Sequence, residues 1–344
     1  MKIACHQLGG IFAMVLACEA CLDLPPIRYE TEEAIIGLDF DVPLCQDDLD
    51  RIDRHIAFVE DMLDAASDEK IEIYIYASSP PRCPGLEGNS CYDTRRKIIR
   101  THGTMLEHEI VHAVVDRFAE PPPFWNEGIA VALDGNGSHP GVATVMQSIH
   151  VEDAADLDYA TAGHFIRWLL EEHDPALIRP ILEGAAFEPT YDLPFPEAAA
   201  LFEQEHPYAY PRWFPCDYPP LPQDEVGGGW HETVEIACDV PGGSTDEGGP
   251  FSVVRTVELT PGSYEIETHG GLGTRLVGCH TDVLMDEPPP NFHGDIPNEV
   301  ETHPGVLFES GSLQEFEITE PGLFKVVAMA RDEHETVEIE LRAR

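Results

Sequence analysis

The spacing of hydrophobic positions changes near residue 213, which divides the chain into two patterns. Before that point apolar residues recur at helical spacing, for example in the face formed by Leu49, Ile52, Ile56, Val59 and Leu63. This part predicts strands within 27–40 and at 71–76, an extended segment near 97–100, and helices at 104–118, 124–134, 159–172, 175–183 and 196–204.

After residue 213 proline and glycine become dense, and short segments alternate with period 2, at 257–259, 264–267, 316–318 and 337–341. The segments starting at Thr260 and Thr319 contain the same Pro-Gly turn, and each turn is followed by a predicted strand. The patterns therefore predict an α+β domain over 19–212, followed by an all-β sandwich of jelly-roll-like type over 213–344.

Residues 1–18 have the features of an export signal. A single Lys2 precedes an apolar run from Leu8 to Ala17, which is shorter than the ~20 residues needed to span a bilayer. The end of this run, Val15 to Cys18, resembles a bacterial lipobox, which implies a lipid attached to Cys18. A simple cleaved signal remains the alternative, and Cys21 leaves the boundary open. We expect an exported, lipid-anchored envelope protein that contacts a membrane only through its anchor.

Export would allow disulfide bonds among the nine cysteines. Cys83 and Cys91 flank a loop rich in proline and glycine, and we expect them to pair. Cys238 and Cys279 lie in strand-like segments and form a second candidate pair. The partners of the other cysteines stay open, including those of Cys21, Cys45 and Cys216.

Composition restricts the classes of partner. The 344 residues include 20 basic and 64 acidic side chains, for a net charge of −44, which repels phosphate backbones and excludes nucleic-acid binding. A hydrophobic fraction of 43% is ordinary for a globular protein and excludes general disorder.

The segment 104–118 carries the clearest chemical pattern. Thr104 and Glu107 have capping-box spacing, which marks a helix start. His108 and His112 are one helical turn apart, so both imidazoles can reach one metal ion, and Glu109 lies beside the first. A turn rich in proline leads to Glu127 on the next helix. Two histidines and one carboxylate leave a zinc coordination position open, which is typical of catalytic sites.

Two other carboxylates near the motif are poorer candidates for the third ligand. Asp116 lies two turns beyond His108, too far along the axis at about 1.5 Å per residue to share an ion with both histidines. Glu120 lies in the connecting turn. We expect Gly128 and Ala130 to let the second helix approach the first closely.

This pattern resembles the gluzincin metallopeptidases, whose H-E-x-x-H motif is followed on the next helix by Asn-Glu-x-x-Ala. It is most similar to the peptidase MA-like proteins of bacterial envelopes, over residues 27–205. The resemblance implies a zincin-like fold, Zn²⁺ held by His108, His112 and Glu127, and Asn126 supporting the ligands without touching the metal. It also implies that Glu109 is the general base that accepts a proton from a zinc-activated water.

A second segment, 159–169, resembles a helix found downstream in the same proteins, with His164 where a small hydroxyl residue is usual. Tyr159 is a candidate for stabilising an oxyanion; packing is the alternative. The Gly-x-Met-Glu-Asn strand of the related aminopeptidases is absent from the sequence, so an endopeptidase is expected rather than an aminopeptidase.

The sequence thus predicts a zinc metallopeptidase acting on peptides or proteins. The extended segment near 97–100 is expected to be an edge strand that pairs with substrate. The alternative is a non-catalytic, zinc-stabilised envelope scaffold or binding protein. A catalytic site requires an open cleft with Glu109 facing into it, whereas a scaffold would close the fourth position with a side chain or a loop.

Overall fold

The structure is a computed structural model that describes residues 24–41, 43–78, 90–102, 105–135, 141–205, 218–223, 228–245, 251–279 and 306–344. Residues 24–205 contain one sheet and all the helices of these ranges, and we call them the α+β part. Residues 218–344 contain two further sheets and are called the β part. None of the helices among these residues is long and apolar enough to cross a membrane.

The sheet of the α+β part has five strands, in the order β1-β2-β3-β5-β4. Strands β2, β3 and β5 are parallel, and β1 and β4 pair antiparallel at the two edges. The strands are β1 (Ile27–Glu30), β2 (Ala34–Leu38), β3 (Ile71–Ile75), β4 (Cys91–Asp93) and β5 (Ile98–Thr101).

The expectation that the segment near 97–100 is an edge strand is wrong. Strand β5 lies between β3 and β4 and is buried along its whole length. The edge is β4, a strand of three residues that was not predicted because it is too short to show an alternating pattern.

Eight α-helices accompany this sheet in the described residues. They are α1 (Gln46–Leu63), α2 (Leu106–Val115), α3 (Pro123–Leu133), α4 (Val145–Ser148), α5 (Tyr159–Glu172), α6 (Ile178–Leu182), α7 (Phe187–Tyr191) and α8 (Phe195–Glu205). The predicted apolar face of α1 is buried against the sheet and α2 in a single core. The helix predicted at 175–183 is instead a 3₁₀ turn, Pro175–Leu177, followed by the short α6.

The helix that carries the motif is shorter than the predicted 104–118. Its N-cap is Met105, which makes no side-chain capping hydrogen bond, and residues 116–118 form a turn after its last residue. Thr104, the expected capping residue, lies outside the described residues. Helix α2 therefore owes its stability to burial: Ile110, Val111 and Val114 are fully buried.

The β part consists of two antiparallel sheets around a common apolar core, in the orders β11-β10-β13-β8-β7 and β12-β9-β14-β6. The Pro-Gly turns after Thr260 and Thr319 have equivalent places: one joins β8 to β9, the other β12 to β13, and each passes from one sheet to the other. The strands are β6 (Trp230–Ile236), β7 (Gly243–Thr245), β8 (Phe251–Leu259), β9 (Gly262–His269), β10 (Gly273–Gly278), β11 (Val306–Glu309), β12 (Leu313–Ile318), β13 (Gly322–Ala330) and β14 (Glu335–Ala343).

A disulfide bond joins the two parts and corrects one cysteine prediction. Cys45, the residue before α1, bonds Cys238, just after β6, with 4.4 Å between the Cα atoms. Cys238 is therefore not paired with Cys279, which is disulfide-bonded elsewhere. The backbone N–H of Gln46 donates to the carbonyl of Cys238, and Ser244 Oγ donates to Asp48 Oδ1 at 2.5 Å.

Candidate metal centre

Two consecutive helices carry the candidate centre. Helix α2 lies in the core, and α3 begins after the turn that contains Pro121 and Pro122, with Pro123 as its first residue. Proline suits the first turn of a helix because its missing N–H has no intrahelical partner there. This arrangement turns the chain back, so that α3 packs on α2.

Gly128 of α3 faces a different helix from the one expected. A Cβ atom on Gly128 would lie 2.6 Å from Ile166 Cδ1 and 3.0 Å from the Ala162 carbonyl oxygen, both on α5. From the opposite helix, a Cβ on Gly163 would lie 2.2 Å from Val131 Cγ1. The two glycines therefore permit close packing of α3 on α5, which fixes α3 from the side away from α2.

The side chains of His108, His112 and Glu127 converge on one point. The two Nε2 atoms are 3.1 Å apart, and Glu127 Oε2 lies 3.4 Å from Nε2 of His108 and 3.2 Å from Nε2 of His112. Zinc at about 2.0–2.1 Å from each ligand atom in a tetrahedral site requires ligand separations of about 3.3 Å. The three observed separations match that requirement, and the donor set of two imidazoles and one carboxylate is one that zinc prefers.

Burial makes this group costly without a cation. His108 and Glu127 expose only 6% and 12% of their side chains, and the three ligand atoms lie close together beside the cleft. Burial lowers the pKa of His108, against the opposing effect of Glu127. Despite its own burial, Glu127 has a pKa lowered to about 2 by hydrogen bonding to the two histidines. A divalent ion between the three atoms would satisfy all of them at once.

Asn126 lines the same cleft, and its side chain raises the pKa of His112 to a small extent compared with Glu127. Nevertheless, the Nδ1 atoms of His108 and His112 have no hydrogen-bond partner of normal geometry in the described part of the chain. The expected supporting role of Asn126 therefore rests on its side-chain interaction with His112 and not on a bond to Nδ1 of either histidine.

Glu109 lies beside the three ligands without joining them. The cluster of possible ligand atoms contains His108, His112 and Glu127 alone among the described residues, while Glu109 lines the cleft next to it. Burial raises the pKa of Glu109 to about 7, although His112 opposes the rise. A carboxyl group with such a pKa exchanges protons readily near neutral pH.

Tyr159 also faces the centre. It is the first residue of α5, after the N-cap Asp158, and its ring centroid lies 6.3 Å from that of His108. Burial and the nearby Glu127 carboxylate raise the pKa of Tyr159, so its hydroxyl remains protonated and can donate a hydrogen bond.

The three ligands and Glu109 open onto a cleft of about 790 Å³. Its lining includes residues of the edge strand β4 with Ser90 before it, residues 119–121, and Ala154, Ala155 and Leu157. Asp116 and Glu120 line the cleft but do not join the metal cluster, as the sequence predicted for both.

One hydrogen bond in the cleft was not predicted from the sequence. The hydroxyl of Tyr92 on β4 donates to Asp116 Oδ2 at 2.8 Å. An available signal was the position of Asp116 at the C-terminal end of a helix, where the dipole disfavours a carboxylate unless it has a partner.

Two sequence predictions fall on residues that the structure does not describe. Cys18, the predicted lipidation site, and Cys83, the predicted partner of Cys91, lie outside the described residues. Cys91 itself is disulfide-bonded.

Comparisons with known proteins identify no family for this chain. No protein-family description matches it, and no curated protein is similar to it. Among solved structures, a family GH115 4-O-methyl-alpha-glucuronidase with specificity for decorated arabinogalactans aligns at 10% identity and a TM-score of 0.19. The alignment covers 89% of this chain and 34% of that one, so the chain spans about a third of its length.

Proposed function

We propose that this protein is a zinc-dependent endopeptidase with a zincin-like α+β domain of the gluzincin type. The observation that carries the proposal is the convergence of His108, His112 and Glu127 on one point inside an open cleft. Glu109 faces the same cleft and is not one of the three ligands. Peptide or protein substrates are proposed because the edge strand β4 lines the cleft, and a strand edge suits extended chains.

The rival proposal, a scaffold stabilised by zinc, requires a fourth ligand or a covering element. In the described ranges no fourth histidine, cysteine, aspartate or glutamate joins the group. The cleft reaches the three ligand atoms. Both observations favour the catalytic proposal.

Each residue of the centre has a proposed task. A bound zinc ion supplies Lewis-acid chemistry, because it polarises a carbonyl oxygen and makes water nucleophilic near neutral pH. Glu109 accepts the proton of the attacking water and passes it to the leaving amine, a role for which its position in the cleft beside the three ligands is suitable. The protonated hydroxyl of Tyr159 is placed to donate to the developing oxyanion.

The proposed substrate-binding edge is β4 rather than β5. The main-chain groups of β4 on the side away from β5 have no neighbouring strand among the described residues. An extended peptide can pair with the main-chain groups of this edge other than the Tyr92 amide, which interacts with Glu109. Export and a lipid on Cys18 remain part of the proposal on sequence grounds alone.

The test is hydrolysis of an unfolded protein substrate by the purified mature protein, with and without chelator, for the wild type and for Glu109→Gln. We expect zinc-dependent cleavage by the wild type and a loss of about 10²–10⁴-fold in the variant, with zinc content unchanged. Cleavage by Glu109→Gln at the wild-type rate would contradict the mechanism. Zinc binding without cleavage by the wild type would support the scaffold instead.

A further inference from the structure

Strand β4 forms a wall of the cleft but has little support from the sheet. It has three residues and one neighbour, β5, to which it is joined by a turn at 94–97. A pairing of only three residues with one neighbouring strand contributes little stability on its own. Besides its backbone ladder, β4 is held by the disulfide bond of Cys91 and by the ion pair of Asp93 with Arg100 on β5. Its placement against α2 depends in addition on side-chain contacts with that helix.

Tyr92, the central residue of β4, makes such a contact with α2. Its hydroxyl donates to Asp116 Oδ2 at 2.8 Å, and Lys97 Nζ lies 4.0 Å from the same oxygen. Both partners of Asp116 thus come from the β4–β5 hairpin. Asp116 is the C-cap of α2, where a carboxylate faces the negative end of the helix dipole. An aspartate at this position does not stabilise the helix. Its contacts with Tyr92 and Lys97 instead hold the β4–β5 hairpin against the end of α2.

The same tyrosine also reaches the proposed general base. Its backbone amide interacts with the Glu109 carboxylate, which lies about two helical turns before Asp116 on α2. Tyr92 therefore contacts α2 at two places, through its side chain at the end of the helix and through its main chain at Glu109. Loss of the outer contact would remove one of the bonds that hold the strand supplying the inner contact.

The end of α2 is a firm support for such a contact. The residue after Asp116, Arg117, forms an ion pair with Glu60 of α1 and donates to the Glu69 carbonyl at 3.0 Å. On the next residue, the Phe118 ring packs beneath the Arg179 guanidinium, 4.7 Å from its centroid. Asp116 is consequently held by a turn that is anchored to two other helical regions.

We infer that Tyr92 and Asp116 form a positioning pair that holds strand β4 against α2, and thereby orients Glu109 and the substrate-binding edge over the metal ligands. Neither residue is a metal ligand in this assignment. The inference rests on the proposed peptidase function, but the hydrogen bond and its effect on β4 can be tested without activity.

The first experiment needs no catalysis. Hydrogen–deuterium exchange of the metal-free protein compares the wild type with Tyr92→Phe, which removes only the hydroxyl, in peptides covering 90–102. We expect faster exchange there in the variant and no change in peptides covering β2 and β3. A matched control is Tyr74→Phe, because the Tyr74 hydroxyl donates to Glu72 at 3.2 Å on the same sheet, outside the cleft lining. Exchange in 90–102 that is unchanged by Tyr92→Phe would overturn the inference.

The second experiment is a double-mutant cycle on peptidase kinetics with Tyr92→Phe and Asp116→Asn. We expect each variant to lower kcat by about 10–100-fold with zinc content retained, and the double variant to be no worse than the single ones. Tyr74→Phe should keep the wild-type kcat. Additive losses, or single variants with wild-type kcat, would overturn the positioning role.

A wild type that binds zinc and shows no cleavage would count against the proposed function alone. In that case the exchange experiment still decides whether Tyr92 and Asp116 hold β4. The two failures are therefore distinguishable.

Discussion

The α+β part and the β part use polar groups in opposite ways. Among the described residues, the interior of the α+β part contains buried titratable side chains on several elements, including His55, Arg100, His108, Glu109 and Arg167. In the described segments of the β part a single charged side chain, Arg255, is buried, and it forms a two-point ion pair with Glu232 at 2.7 and 2.8 Å.

Other charged side chains on the described strands of the β part lie on the outside of its sheets. In the register of β9, β12 and β14, Glu340 lies opposite Glu267, and Glu315 lies opposite Glu265. Like charges in such positions destabilise a sheet, and Arg344, which pairs with both Glu265 and Glu315, offsets one of these repulsions. Burying a polar or charged group costs free energy unless a hydrogen bond or an opposite charge compensates for it, whereas an exposed group stays hydrated. The buried titratable groups on which the proposed function depends therefore lie in the α+β part.

The largest difference between the two parts is expected when two histidines are removed from each part and the zinc content is compared. We expect His108→Ala/His112→Ala to abolish zinc binding, because only one ligand of the cluster remains. The matched control is His231→Ala/His334→Ala, which removes two histidines that pair with glutamates on the outside of the β part. Zinc content by metal analysis is the measurement, and equal losses in both variants would contradict the assignment.

The third ligand can be tested in the same way. Glu127→Ala should weaken zinc binding markedly in metal titrations, since its Oε2 is the third atom of the cluster. Glu120→Ala is the control, because Glu120 lines the cleft without joining the cluster. A stronger effect of Glu120→Ala would require another third ligand.

Alanine substitutions in the two cores distinguish an effect on folding stability from an effect on zinc binding. Phe124 on α3 and Phe324 on β13 are both fully buried, so each change to alanine should cost about 3–5 kcal/mol of unfolding free energy. Only Phe124→Ala should also weaken zinc binding, because Phe124 lies one turn from Glu127 on α3. Calorimetry with and without zinc checks this, and a zinc-dependent effect confined to Phe324→Ala would contradict it.

Removal of the disulfide bond tests how far the folding stability of each part depends on its link to the other. Cys45 and Cys238 are 193 residues apart, and removing the bond with Cys45→Ser/Cys238→Ser should cost about 2–5 kcal/mol. We expect the measured unfolding transition to broaden or divide, because the parts are then joined by weaker contacts. A variant with the wild-type transition would show that the remaining interface suffices.

The smallest expected effect concerns Asp158. Its carboxylate accepts hydrogen bonds from the backbone of Val142, Ala143 and Thr161, and the bonds lower its pKa against the effect of burial. A lowered folded-state pKa stabilises the protein above the unfolded value of about 3.8, and this stability is lost as the pH falls through the folded value. Asp158→Asn should cost about 0.5–2 kcal/mol at pH 7 and less near pH 3. Urea denaturation at the two pH values checks the sign, and a larger cost near pH 3 would contradict it.

Local patterns in the sequence determined much of the α+β part. The face of α1, the one-turn spacing of His108 and His112, and the proline turn before Glu127 depend on residues close in the chain. Helical periodicity arises from hydrogen bonds four residues apart, so it can be read without knowing the remainder of the fold. The grouping of the three ligands was expected for the same reason, since it involves two consecutive helices.

Only the tertiary structure decided which strand is the edge, which cysteines pair, and which helix faces Gly128. Each depends on partners far apart in sequence: β5 joins β3 across a crossover, and Cys45 meets Cys238 in the other part. The Tyr92–Asp116 bond is of the same kind, because it joins a sheet edge to a helix end. Residue types and their spacing do not specify such contacts, since these depend on how whole elements pack to bury apolar surface.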